Sequence, residues 1–251
     1  MSVACISETG EDDGLEEEAF SGGARSLEFV ERRTLFPETE WWFATLRKLK
    51  LGRGFNSLVD GVLWPTSLEE LKFGWDFNQP VDNVRWPASL RQLTFGYCFD
   101  QPIDKVTWPE LLQEMTLGLR FNQRLDEVDW PTSLRKLSFG KRFNQPIAGV
   151  AWPRSLQQLS FGWDFNQPIV GATWPPSLEQ LAFGQDFNQQ IDGVTWPAAL
   201  QELIFGESFN QPVHKVAWPD SLRRITFGKD FDQPMDALQD RGIKVTILRC
   251  C

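Results

Sequence analysis

The sequence predicts a mostly β fold, a parallel β-solenoid of about nine 22-residue turns with two short strands per turn. Three observations predict it. Trp-Pro recurs at Trp64, Trp86, Trp108, Trp130, Trp152, Trp174, Trp196 and Trp218, at one constant interval with no insertion or deletion. Within each copy, Leu-x-x-Leu-x-Phe (Leu156, Leu159, Phe161) ends in period-two alternation, and Val-x-Trp (Val150, Trp152) alternates too. These are strand signals, each too short to stand alone. Between them lie Trp-Pro, Phe-Gly and Asn-Gln-Pro. Proline cannot donate to a ladder and glycine supports unusual backbone angles, so these mark corners. One repeat is then one turn of a coil. Successive turns paired as parallel strands about 4.8 Å apart make a rod on the order of 45 Å long.

Taken in order, the chain opens on an acidic head. Residues 1–40 carry a charge balance of −8, and the remaining residues one of −1. The run from Glu8 to Glu18 holds seven carboxylates and one apolar residue, Leu15. Like charges at that density repel, so residues 1–25 are expected to be disordered. Residues 26–41 are expected to cap the array, because Leu27, Phe29, Val30, Leu35 and Phe36 can cover its first core layer, with Trp41 and Phe43 beside them. The array itself runs over 42–239. Its first copy, opened by Trp42, is degenerate but keeps Leu46, Leu49, Leu51, Gly52, Phe55, Asn56, Val59 and Val62 in register. Residues 240–251 are expected to form a closing strand, in which Ile243, Val245 and Ile247 alternate with Lys244 and Thr246, and a tail. Lysine on that strand blunts an exposed edge.

Inside the coil each position stacks on its copy one turn away. Two Phe rows (from Phe73 and Phe77), the Trp row and a Leu row from Leu68 form the expected core. Truncating one Phe to Ala should cost about 3–5 kcal/mol. Asn78, Asn122, Asn144, Asn166, Asn188 and Asn210, with Asp100 and Asp232, form a polar row. Each follows a buried Phe and precedes a corner, so its side chain can bond backbone groups the corner leaves unpaired.

Leu-x-x-Leu-x-Phe-Gly-x-x-Phe-Asn-Gln-Pro-Ile followed by Pro-x-Ser-Leu resembles the FNIP repeat, a 22-residue relative of the leucine-rich repeats. The resemblance covers residues 42–239. Trp before Pro departs from the Ile or Leu more usual there. The resemblance implies a leucine-rich-repeat type of solenoid and an interaction scaffold, and it supplies no catalytic residues. Some relatives carry an F-box ahead of the repeats; residues 1–40 are too short and acidic for that module.

Function must then lie in positions the repeat leaves free. After Phe-Gly the first loop position reads Arg53, Trp75, Tyr97, Leu119, Lys141, Trp163, Gln185, Glu207 and Lys229. Trp75, Tyr97 and Leu119 fall on consecutive turns. If exposed, they form an apolar strip, and Trp and Tyr are enriched at binding hot spots. The second loop position adds a charged rim with Asp76, Arg120 and Arg142. The partner-binding candidates are therefore Trp75, Tyr97, Leu119, Trp163, Asp76, Arg120 and Arg142. The alternative is that these aromatics fold back over the glycine corner as packing.

Other chemistry finds little support. Asp60, Asp82, Asp104 and Asp126 stand on successive turns, but turn-forming residues follow several of them, so backbone bonding competes with a cation site. His214 is the single histidine, and there is no phosphate loop or nucleophile arrangement. No catalytic residue, metal or cofactor is implied. The array lacks the basic stripe that nucleic acid requires. Cys5, Cys98, Cys250 and Cys251 show neither metal nor disulfide spacing, which fits a reducing compartment. With no secretory signal or membrane span expected, the reading is a cytoplasmic monomer. Terminal Cys250-Cys251 resembles a prenylation signal, but the fold that its escort reads is absent. The expected function is a non-catalytic protein-interaction scaffold. A carbohydrate-binding module using Trp75, Tyr97 and Trp163 is the alternative, and a purely structural rod the third.

Overall fold

The parallel ladder follows from one buried aliphatic side chain at the same strand position in each turn, a leucine in most turns, Met115 and Ile225 in two. The computed structural model describes residues 4–6, 26–29 and 45–248. The acidic run Glu8–Glu18, the rest of the expected cap with Trp41–Phe43, and Cys250-Cys251 lie outside the described residues. Among the described residues twelve strands form a single parallel sheet in chain order. They are β1 (Ala4–Ile6), β2 (Ser26–Phe29), β3 (Lys48–Leu51), β4 (Glu70–Lys72), β5 (Gln92–Thr94) and β6 (Glu114–Thr116). There follow β7 (Lys136–Ser138), β8 (Gln158–Ser160), β9 (Gln180–Ala182), β10 (Glu202–Ile204), β11 (Arg224–Phe227) and β12 (Lys244–Ile247). In β8, for example, Leu159 is buried while Gln158 and Ser160 are half-buried. That alternation sets which face turns inward, and slipping by one residue would expose every leucine.

From β2 to β11 the pairing is offset by one repeat length at each step, as in Leu27 opposite Leu49 and Leu137 opposite Leu159. The fold is thus a parallel β-solenoid of leucine-rich-repeat type, and β3 to β11 are its nine regular turns. At the end of the array a one-turn helix, α1 (Asp236–Gln239), replaces the corner. β12 then pairs with β11, with Val245 and Ile247 packed against the core.

Among the described residues the second strand expected at Val-x-Trp does not form, and each turn gives one strand to the sheet. The cause is local. The Val150 N–H donates to the Ile147 carbonyl at 3.2 Å, and Val84, Val128, Val194 and Val216 repeat this bond on their own turns. A donor spent on a turn within its own repeat is unavailable to a neighbouring strand.

The core is a set of aromatic columns. Phe77 and Phe99 stack at 6.0 Å between ring centroids, and Phe73 and Phe95 at 5.5 Å. Within one turn Phe73 lies 3.9 Å from Phe77. The Trp rings stack along their own row, as Trp130 on Trp152 at 6.0 Å, and meet the Phe column edge to face. The buried indole N–H groups of Trp108, Trp130, Trp152, Trp196 and Trp218 meet no acceptor among the described residues. Ring contact and burial therefore hold this row, not hydrogen bonding.

Two different ladders tie turn to turn. On the strand side the backbone does it, from the strand through the loop after Phe-Gly. There the Asp164 N–H donates to the Lys141 carbonyl at 2.9 Å, and Asp186 to Trp163 likewise. On the corner sides, where prolines interrupt, side chains do it. The Asn144 Oδ1 accepts from the Asn166 backbone N–H at 2.9 Å and from the Gln167 side-chain amide at 3.0 Å. The same pair of bonds repeats at the neighbouring turns, with Asp100 serving as acceptor for Asn122 and Gln123. The Ser155 hydroxyl donates to the Leu134 carbonyl at 2.6 Å, and Ser133 and Ser177 do the same one turn away.

The glycine of Phe-Gly has a different cause from the one read in the sequence. Among the described residues the positive-φ glycines are Gly149, Gly171, Gly193 and Gly242, none of them in Phe-Gly. A Cβ on Gly140 would instead lie 2.0 Å from the Gly118 carbonyl oxygen. Close approach of successive backbones, not backbone angle, demands glycine there.

These contacts set costs that urea denaturation midpoints can read. Gly140→Ala should destabilise by at least about 3 kcal/mol, because rigid backbone sits where the methyl must go. Gly149→Ala, with open space around it, should cost only the roughly 1–2 kcal/mol of a left-handed conformation. Asn144→Leu should cost about 1–3 kcal/mol by orphaning the donors of Asn166 and Gln167, whereas Asn144→Asp keeps the acceptor and should stay within about 1 kcal/mol.

Candidate functional site

The loop after Phe-Gly is two residues long in every regular turn and lies between a glycine and a buried Phe. Neither neighbour can move. The glycine touches the turn before it, and the Phe is locked in its column. The loop side chains are therefore pushed outward, Arg53 alone from the first turn, where Gly54 follows it, and a pair from each of the next eight, and together they make a ridge along the solenoid.

Both sequence-predicted tryptophans are exposed on this ridge, Trp75 at 45% and Trp163 at 54%. Tyr97 and Leu119 are half-buried, and Asp76, Arg120 and Arg142 are exposed. Trp75 and Tyr97 stack on each other at 4.1 Å with an interplanar angle of 8°. The Arg53 guanidinium covers Trp75 at 5.2 Å, and the Arg120 guanidinium covers Tyr97 at 5.6 Å. Four side chains from four turns thus form one stack, Arg53–Trp75–Tyr97–Arg120. Lys141 lies over Trp163 at 4.6 Å, a second and separate cation–π pair. The structure brings Trp75, Tyr97, Arg120 and Leu119 together on adjacent turns. It keeps Trp163 apart, with Lys141 between.

This geometry bears on the two binding chemistries weighed from the sequence. A sugar ring stacks on an open aromatic face. Both faces of Tyr97 are covered, by Trp75 and Arg120, and Trp75 is covered by Tyr97 and Arg53. What the stack offers outward is ring edges, a phenol hydroxyl and guanidinium N–H groups.

Sequence reasoning missed the role of Arg53 and Lys141. They stand in the same loop position as the aromatics, so the row itself held the signal, since a cation one turn from an aromatic reaches its face. It also missed the flank of Trp163. There the surface sinks into an open depression of about 350 Å³ whose lining includes Phe183, Gln185, Ile204, Glu207 and Leu248. Leu248 comes from beyond the array, where the repeat pattern gives no guide.

The aspartate row behaves differently. Arg124 donates from Nε and from one terminal nitrogen to the two carboxylate oxygens of Asp126, each at 3.0 Å. That hydrogen bonding holds the Asp126 carboxyl below the usual carboxylate range. Among the described residues there is no group of three or more His, Cys, Asp or Glu side chains that could hold a metal ion. His214 is exposed on its turn. No helix of the described residues is long and apolar enough to cross a membrane.

The FNIP-repeat family profile matches residues 55–98, 121–164, 143–186, 165–208 and 209–239. The crystal structure of CroV588, a circular LRR protein, is similar, with a TM-score of 0.69 and 34% identity. That similarity covers 88% of this chain and 36% of CroV588, so the chain spans about a third of that protein's length. An internalin (inlF) from Listeria monocytogenes str. 4b F2365 is similar at 14% identity, over 88% of this chain and 71% of the internalin, with a TM-score of 0.48. No curated protein matches the sequence.

The ridge contacts are exposed, and exposed cation–π pairs are worth about 0.5–1 kcal/mol. Arg120→Ala and Arg53→Ala should therefore each lower stability by no more than about 1 kcal/mol in urea denaturation.

Proposed function

Because the chain belongs to the FNIP-repeat family, we propose that it is a non-catalytic protein-interaction scaffold whose docking surface is the ridge centred on Trp75, Tyr97, Leu119 and Trp163, with Asp76, Arg120 and Arg142 as its charged rim. The observation that carries this reading is the Arg53–Trp75–Tyr97–Arg120 stack. It is preassembled on a backbone that cannot yield, so docking costs little side-chain ordering. It combines the residue types that dominate binding hot spots, Trp, Tyr and Arg, on one exposed strip. The covered faces of Trp75 and Tyr97 count against the carbohydrate-binding reading at those two of its three rings, and the exposure of so much aromatic surface counts against a bare structural rod. The spacing of the four cysteines, which suits neither a disulfide framework nor a metal, supports a reducing compartment such as the cytoplasm. The segments 26–41 and 240–251 serve, in this reading, to cover the two ends of the array.

The test is affinity capture of the intact chain from its own cells, beside a Trp75→Ala/Tyr97→Ala variant with an unchanged unfolding transition. The expected result is a partner held by the native chain and lost, at least about tenfold, in the double variant. A partner retained at full strength by the variant would exclude the stack as the docking site.

A further inference from the structure

The charges on the ridge are ordered. Over the first five turns its charged loop side chains are Arg53, Asp76, Arg120, Lys141 and Arg142, a balance of +3. Over the next four they are Asp164, Asp186, Glu207, Lys229 and Asp230, a balance of −3. All are exposed or half-buried. Lys229 and Glu207 hold each other at 2.7 Å. Among the described residues Arg120, Arg142, Asp164 and Asp186 take part in no ion pair, although all four point off one continuous edge.

We propose that a second copy of this chain docks antiparallel along the ridge, about a two-fold axis that passes between the turns of Arg142 and Asp164. The proposal rests on the ridge being the docking surface and names its partner. A two-fold axis there brings Arg142 against Asp164 of the other copy and Arg120 against Asp186, and each contact occurs twice. One turn further out, Tyr97 faces Glu207, and beyond that Trp75 faces Lys229. Lys141 of each copy meets Trp163 of the other, next to the Trp163 it already covers. One facing pair is unfavourable, Asp76 with Asp230, and Lys229 stands beside it. Facing turns stay in register because both copies share one pitch, set by the same glycine approach and the same ladders. Parallel alignment of two copies would bring each turn against its own copy, so the cationic turns of Arg120 and Arg142 would meet cationic turns and the anionic turns of Asp164 and Asp186 anionic ones. A pair of copies departs from the monomer expected from the sequence.

The contact is narrow. Eight ladder steps of about 4.8 Å and a width of two side chains give on the order of 500 Å² per copy, the size class of weak and transient contacts. Its affinity should therefore be micromolar and should fall as salt rises.

Sedimentation of the full-length chain tests this, at about 50 mM and about 500 mM salt and up to about 100 µM protein. The expected result is a dimer at low salt that weakens at high salt. Arg120→Glu/Arg142→Glu leaves Lys141 as the single cation on the four turns nearest the axis, and Asp164→Arg/Asp186→Arg leaves only cations there. Each variant alone should raise the dimer dissociation constant at least about tenfold. An equimolar mixture of the two should restore a dimer, because opposite signs then face each other at all four of these contacts. If either double variant fails to fold, Arg142→Glu and Asp164→Arg carry the same comparison. A native chain that stays monomeric throughout, a dimer indifferent to both reversals, or a mixture that does not pair would overturn the proposal. A monomeric chain that still loses a captured protein on Trp75→Ala/Tyr97→Ala would end the pairing and leave the scaffold reading standing. A charge-sensitive dimer from which no other protein is ever captured would identify the second copy as the partner.

Discussion

The approach of one backbone to the next at the Phe-Gly corner governs the rest of this molecule. A single methyl group at Gly140 would sit inside the carbonyl of Gly118. That contact recurs once per repeat and admits no insertion, so it sets one pitch for the whole array. The Phe columns, the strand ladder and the spacing of the loop ridge all inherit that pitch. A repeat protein whose turns touch only through soft side chains could vary its spacing. This one cannot do so without breaking backbone contact.

At that pitch, backbone hydrogen bonds close only one side of each turn. Pro153 has no N–H to give, and Val150 spends its own on a turn within its repeat. The opposite side would be left with unsatisfied groups, at a cost comparable to that of a lost hydrogen bond for each. Asn, Gln and Ser fill that role with side chains. The bonds run through one oxygen of the Asn side chain, which is why Asp100 stands in the same row without breaking it. The polar signature of the repeat is thus the complement of its prolines.

The same rigidity shapes the surface. Loop side chains with immobile neighbours on both sides hold fixed places relative to those one turn away. Trp75 and Tyr97 stack at 4.1 Å because the two-residue loops repeat at nearly a ring's thickness plus a small offset. Cations then find the outer faces at Arg53 and Arg120. A surface assembled in this way presents edges and charge rather than open rings, and its chemistry follows from the pitch as much as from composition.

The period, the parallel solenoid, the inward leucine and phenylalanine rows and the polar Asn row were legible in the sequence. A translational repeat places identical residues at identical depth, so one copy read correctly is all copies read correctly. The second strand at Val-x-Trp was misread, because alternation alone does not reveal that Val150 bonds within its own turn. The glycine of Phe-Gly was found but given the wrong cause, since close approach involves a backbone one full repeat away. The candidate row of Trp75, Tyr97 and Leu119 was legible as a row, and its exposure was not. Whether an aromatic on a short loop folds inward or stacks on its neighbour depends on the distance between turns. Distance between turns is a property of packed backbones, and only the tertiary structure decides it.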